Sequence, residues 1–438
     1  MGFLRALSSG VSGLRGHQTM MDVIGNNISN INTIGFKSGR VTFSEAFAQT
    51  LRNANLPQAQ LGGTNPQQVG LGIQVTTIDT QFSQGNMENT SNVTDLALQG
   101  NGFFIVKQNG KQLYTRSGAF SLDADGRLVN AGSGAVVQGK IADANGVLPS
   151  GNNLADIVIP TDIKSPAQAT TEIKWKGNLN ASAPLNTDLA TNTPEGSTTT
   201  GSAIVYDSLG NKYTVTLKFA KTADVPQTWA WTATRPDPAS TTSAPLPGIE
   251  VGTGAVTFNT DGSLASPDPA TPPQLTFDPA NGANPVTVNV TFGEIGKFSG
   301  LTASQGLSTI STKATNGYGL GSLNNISVET DGTIRGIFSN GTLQTLGQVM
   351  IADFNNPGGL QRVTGSMYDF SGNSGVAQIG AAGSVNSSQV LSNSLEQSNV
   401  DLAEEFTKMI IAQRGFQANA KVITSSDEFM QEIVNIKR

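Results

Sequence analysis

From Leu402 onward the chain places side chains at alternating steps of four and three: Leu402, Phe406, Met409, Gln413, Phe416, Ala420, Ile423, Asp427, Met430, Val434 and Lys437. A mostly apolar seam with this spacing predicts one long helix of coiled-coil type over 398–438. Ser398, three residues ahead of Asp401, reads as a capping box. Asp401, Glu404 and Glu405 suit the positive end of the helix dipole, and Lys437 and Arg438 the negative end. Val422, Phe429 and Ile436 form a second apolar row that a two-helix seam leaves in water, at roughly 1.5–3 kcal/mol each. The pattern therefore asks for more than one partner helix.

Residues 3 to about 31 repeat the stepping in weaker form, through Leu4, Leu7, Val11, Leu14, Gln18, Met21, Gly25 and Ile28. Gly10, Gly13, Gly16 and Gly25 each cost about 1 kcal/mol against Ala in a helix interior, so this segment is expected to be largely unfolded by itself. The same glycines let neighbouring helices approach closely. Helix-ending asparagines follow from Asn26, then a short amphipathic piece at 41–51 with Phe43, Phe47 and Leu51. Residues 53–72, rich in Asn, Gln, Gly and Pro, read as an extended linker or docking arm.

The period then changes to two. Strands are expected over 75–82, 102–106, 118–122 and 127–130, with turns at Asn109-Gly110 and Asp125-Gly126, and 157–160 closes the block. Comparable strands return at 326–329, 333–339 and 343–354, with turns at Asp331-Gly332 and Asn340-Gly341. Between them, 165–297 reads as an inserted loop-rich β domain. It has a hairpin over 203–219, an aromatic strand at 228–234 and Pro-rich loops at 236–247 and 266–285. The expected fold is mainly β with α-helical termini: two nested β domains plus paired terminal helices. The domain boundaries are 1–35 with 395–438 for the helical core and 36–74 for the arm. Residues 75–164 with 298–394 form the inner β domain, and 165–297 the outer one.

Composition narrows the function. Only 13% of the 438 residues are charged, Gly numbers 50, and the formal net charge is -6. Sparse charge with many small polar residues fits an extracellular or assembling β protein better than a cytosolic enzyme, and the balance offers no footprint for nucleic acid. The absence of cysteine removes disulfides, thiolate chemistry and Cys-type zinc sites. No cleavable signal pattern and no apolar run of spanning length is found, so no membrane insertion is expected and any export uses another route.

The stretches SGLRGHQTMMDVIGNNISNINTIGFKSGR and SNVDLAEEFTKMIIAQRGFQANAKVITSSDEFMQEIVNIKR resemble the bacterial flagellar rod and hook proteins. NVTDLALQGNGFFIV with YTRSGAFSLDADGRLVN is similar to the shared first β block of that group. KWKGNLNASAP at 174–184, VYDSLGNKYTVTLKF at 205–219, the stretch from Tyr318 through 363, and the length resemble the hook branch. The resemblance implies an axial homopolymer with terminal helices in the core of a tube and β domains outside. It also implies unfolded export through the flagellar apparatus, and neighbours in the distal rod, the hook cap and the hook–filament junction. The expected assembly interface is Leu4, Leu7, Val11, Leu14, Met21, Ile28, Leu402, Phe406, Met409, Phe416, Val422, Ile423, Phe429, Met430, Val434 and Ile436. Of these, the Leu402–Met430 seam is expected to meet the chain's own N-terminal helix, and the Val422 row other subunits.

Competing chemistry is weak. Asp123-Ala-Asp125-Gly126 looks like half a calcium loop but lacks oxygen ligands at its first and last positions, so a hairpin turn is expected. His17 has no acid or serine placed beside it and reads as an interhelical polar contact. Trp229 and Trp231 alternate on one strand face and read as packing ahead of a carbohydrate platform. A non-enzymatic structural subunit without cofactors is the reading. A distal rod protein is the alternative, followed by a secreted β-rich adhesin.

Overall fold

A computed structural model describes residues 2–57, 62–160, 162–186, 194–236, 249–384 and 387–436, without the side chains of 2–4, 433, 434 and 436. The Pro-rich stretch expected at 236–247 falls outside these residues from 237 onward. Two compact units divide the chain. The first comprises Met1–Thr161, Ile326–Gly336 and Gln344–Arg438, and the second Asp162–Asn325 with Ile337–Leu343.

Two helices belong to the first unit, α1 over Gly2–Ser29 and α2 over Leu402–Ile436. The start of α2 differs from the expected Ser398 box. Asp401 Oδ1 accepts the N–H groups of Ala403 at 2.8 Å and Glu404 at 3.2 Å, whereas Ser398 Oγ accepts only Val400 N–H. A carboxylate one residue before the first turn satisfies two orphan donors and fixes the helix start there.

The amphipathic piece expected at 41–51 falls on two strands, and the arm expected at 53–72 carries a third, at 67–70. Strand β1 (Gly39–Glu45) runs antiparallel to β4 (Ile73–Thr80), and β2 (Ala48–Arg52) to β3 (Gln67–Gly70). Val41, Thr42, Val75 and Thr77 are β-branched, a composition that favours a pleated ladder over a helix. Thr42 and Thr77 join their hydroxyls at 2.7 Å across it.

The remainder of the first unit is a β core. Residues 103–108 pair with 111–115 through the Asn109-Gly110 turn, then with 136–137 and 351–352, while 367–368 pair with 114–115. Phe103, Ile105, Tyr114, Met350, Ala352, Phe354, Leu360 and Tyr368 form its interior. Phe103 meets Phe82, Phe354 and Tyr368 edge-on, the arrangement ring quadrupoles favour.

The second unit closes a single core between two five-stranded sheets. One sheet holds 198–206, 212–224, 227–235, 249–258 and 264–266 in sequential order. The other is centred on 172–180. Residues 298–325, expected in the inner β domain, belong here: 301–304 and 309–315 hydrogen-bond along both sides of 172–180. All three tryptophans, Trp175, Trp229 and Trp231, are buried in this core. The indole of Trp231 lies against Gly254, where a Cβ would be 2.8 Å from the ring.

Candidate assembly surface

The helix pair is built on small residues. Contacts run antiparallel: Gly10 meets Ile423, Gly13 meets Asn419, His17 lies over Gly415, and Asn27 reaches Glu405. A Cβ on Gly10 would be 3.1 Å from Ile423 Cγ1, one on Gly13 2.5 Å from Asn419 Oδ1, and one on Gly415 2.5 Å from the His17 ring. On α2 the buried positions are Glu405, Ala412 and Ser426, with half-buried Asn419 between. These four are spaced by seven, so a heptad seam exists on the row of small and polar side chains. Asn27 holds the end of the pair: its Nδ2 donates to Glu405 Oε2 at 3.0 Å and to Gly39 O, and its Oδ1 accepts Gly39 N–H. The neighbouring side of α1 meets the hairpin, where Gly16 faces Phe43 and Ile73 and Ser12 Oγ accepts Ile73 N–H.

Of the large apolar residues expected at the seam with α1, Ile423 meets Gly10 there, while others lie elsewhere. Leu402, Phe406 and Met430, assigned from the sequence to the seam with α1, are exposed, as are Val422 and Phe429. Met409, Phe416 and Ile423 are half-buried, as are Leu7, Leu14, Met21 and Ile28 on α1, and Val11 is exposed. The cause is the glycines: close approach through Gly10, Gly13 and Gly415 turns the broad side chains to the flanks. Ile410 and Ile411, 54% and 58% exposed, add to this apolar surface outside the expected seam. They break the four-three stepping, and two adjacent apolar residues on a helix point to different sides. Leu4, Val434 and Ile436 have side chains outside the described residues.

A buried ionic junction fixes where the helices enter the β core. The fully buried Glu396 carboxylate accepts Lys37 Nζ at 2.6 Å, Gly85 N–H at 2.9 Å and Arg116 Nη1 at 3.5 Å. Lys37 Nζ also donates to Ser83 O at 2.7 Å, and Asn399 Oδ1 accepts Ser38 N–H at 2.8 Å. Arg116 lies 5.3 Å over the Phe103 ring and Arg362 4.8 Å over Phe36. Burial pushes the Lys37 ammonium below its ordinary pKa, against the pull of Glu396, and acts the same way on Arg116. Lys37 and Glu396 are 359 positions apart, beyond what periodicity can link.

The other candidates resolve into structure. His17 rests on Gly415 with Nδ1 buried and making no hydrogen bond among the described residues, so the polar contact expected there is a packing contact at that atom. Asp123 Oδ1 accepts the N–H groups of Asp125 and Arg127 within a turn. Trp229 and Trp231 are interior.

Helices at both chain ends are thus joined by a small-residue seam, with broad apolar flanks left exposed in the subunit. Four families match along the chain: the flagella basal body rod protein family at 7–37, the flagellar hook protein FlgE/F/G D1 domain at 97–181, the flagellar basal body protein FlaE D2 domain at 175–318, and the flagellar basal body rod FlgEFG protein C-terminal family at 391–436. The flagellar hook protein FlgE of Borreliella burgdorferi is 39% identical over 99% of this chain and all of its own length. Those of Treponema pallidum and Escherichia coli are 38% and 34% identical with the same coverage. The chain belongs to the flagellar hook protein family, whose members are structural proteins of the flagellum.

Proposed function

We propose that this chain polymerises into the curved, flexible tube of the hook, with its own α1–α2 pair packed against those of neighbouring copies. The observation that carries the reading is the apolar flank of α2. Leu402, Phe406, Ile410, Ile411, Val422 and Met430 are each more than 40% exposed, so covering what remains of each side chain is worth roughly 1 kcal/mol. Both the Leu402–Ile410 flank and the Ile411–Val422 flank ask for a neighbour, so contacts propagate from copy to copy.

The β units, sparse in charge, form the outer surface. They slide against neighbours at small cost because they lack strong interlocking ion pairs, which lets the tube bend while it transmits torque. The resemblance adds export through the flagellar secretion apparatus without a cleaved signal, and neighbours at the distal rod, the hook cap and the hook–filament junction. Sedimentation of the full chain against a version lacking residues 1–29 and 402–438 tests the reading. Only the full chain should pellet as polymer, and a pelleting truncated version would overturn it.

A further inference from the structure

Six Asn-Gly dipeptides occur in the chain, at 101, 109, 145, 281, 316 and 340, and the fold treats them unequally. Deamidation at such a site begins when the glycine's backbone nitrogen attacks the asparagine Cγ. It requires a carboxamide free to turn and a backbone N–H free to lose its proton. Glycine favours the step because no side chain shields its nitrogen.

Most of the six are held. Asn340 donates to Gly319 O and accepts Thr342 N–H. Asn281 donates to Asp207 Oδ2 and Tyr213 Oη while its Oδ1 accepts Ala283 N–H. Asn316 accepts from the backbone of Thr171 and Glu172 and donates to Thr171 Oγ1. At 145 the attacking nitrogen is engaged, since Gly146 N–H donates to Asp143 O at 2.9 Å. Asn101 precedes a buried glycine, and its carbonyl accepts Ser388 Oγ.

Asn109 is different. It and Gly110 form the exposed two-residue loop between 103–108 and 111–115, with φ of 50° and 78°. Among the described residues, neither its carboxamide nor the Gly110 N–H makes a hydrogen bond. A Cβ at Gly110 would meet nothing within 4 Å.

We propose that Asn109 is the site at which the folded chain deamidates spontaneously. Gly110 N bonds to Asn109 Cγ, the Cγ–Nδ2 bond breaks and ammonia leaves. Water then opens the succinimide at one of its two carbonyls, giving aspartate or isoaspartate. Either product adds a negative charge between Lys107 and Lys111. Isoaspartate also lengthens the main chain by one carbon inside a two-residue loop, where loop length sets the register of the flanking strands.

The test is site-resolved peptide mass mapping of the full-length protein aged in mildly alkaline buffer, folded and in denaturant, with enzymatic carboxyl methylation to count isoaspartate. Folded protein should convert Asn109 at least about tenfold faster than Asn281, Asn316 and Asn340, the factor expected when one ordinary hydrogen bond must first break. In denaturant the six rates should converge, and Asn109→Gln should remove most of the isoaspartate from folded protein. Folded rates at 109 equal to or below those of the held sites would overturn the proposal, as would conversion confined to denatured protein.

Discussion

Gly415 lies directly beneath the ring of His17, with room for a hydrogen and none for a methyl: a Cβ there would be 2.5 Å from both Cε1 and Nε2 of the ring. This contact sits midway along the pair and sets how closely α1 and α2 approach. Gly415→Ala is expected to push the helices apart at a cost of about 1–3 kcal/mol, the usual range for overpacking. A lower dissociation temperature of the polymer would register it. In an isolated helix the same change would stabilise by about 1 kcal/mol, so the sign separates packing from propensity.

Glu396→Ala leaves Lys37 and Arg116 buried without their shared counter-charge. Breaking a buried pair in this way costs about 3–5 kcal/mol, and the loss should be confined to the first unit. Every tryptophan is in the second unit's core. Tryptophan emission in urea should therefore keep its midpoint, while amide hydrogen exchange around Lys37 and Arg116 accelerates.

Asp207 predicts an acid-sensitive second unit. Burial pushes its carboxyl upward, but hydrogen bonds from Asn281, Asn211 and the backbone of Asn211 and Leu209 outweigh that and hold its pKa below the ordinary carboxylate value. A depressed folded pKa stabilises fully above the unfolded value of about 3.9 and is lost as pH falls through the folded value. The urea midpoint read by tryptophan emission should be level near neutrality and fall below about pH 4. In Asp207→Asn the fall should be shallower.

Helix content should rise on assembly. With Gly10, Gly13, Gly16 and Gly25 in its 28 residues, α1 is too weak to persist without neighbours. Far-ultraviolet circular dichroism of dilute monomer should show little helix and gain it as polymer forms. Monomer spectra already carrying both helices would remove the disorder-to-order step.

Much of this was legible in the sequence, for reasons that also explain the failures. The long terminal helices and the turns at Asn109-Gly110 and Asn340-Gly341 follow from periodicity and from residues that tolerate positive φ. The face on which α1 and α2 meet does not. A heptad of Glu405, Ala412, Asn419 and Ser426 is invisible to a search for large apolar side chains, because its value lies in the glycines opposite. Of the strands between 39 and 80 only the last, expected at 75–82, is legible, because polar loop composition hides the partners at 39–45, 48–52 and 67–70. The Lys37–Glu396 junction joins opposite ends of the chain and leaves no local trace.

Electron microscopy of purified full-length protein at polymerising concentration, beside an Ile410→Asp/Ile411→Asp double variant, tests the central claim most directly. The native chain should form curved tubes. The variant should remain monomeric with unchanged tryptophan emission, because both side chains are exposed in the subunit. Straight native tubes, or a variant that assembles like the native chain, would contradict the account.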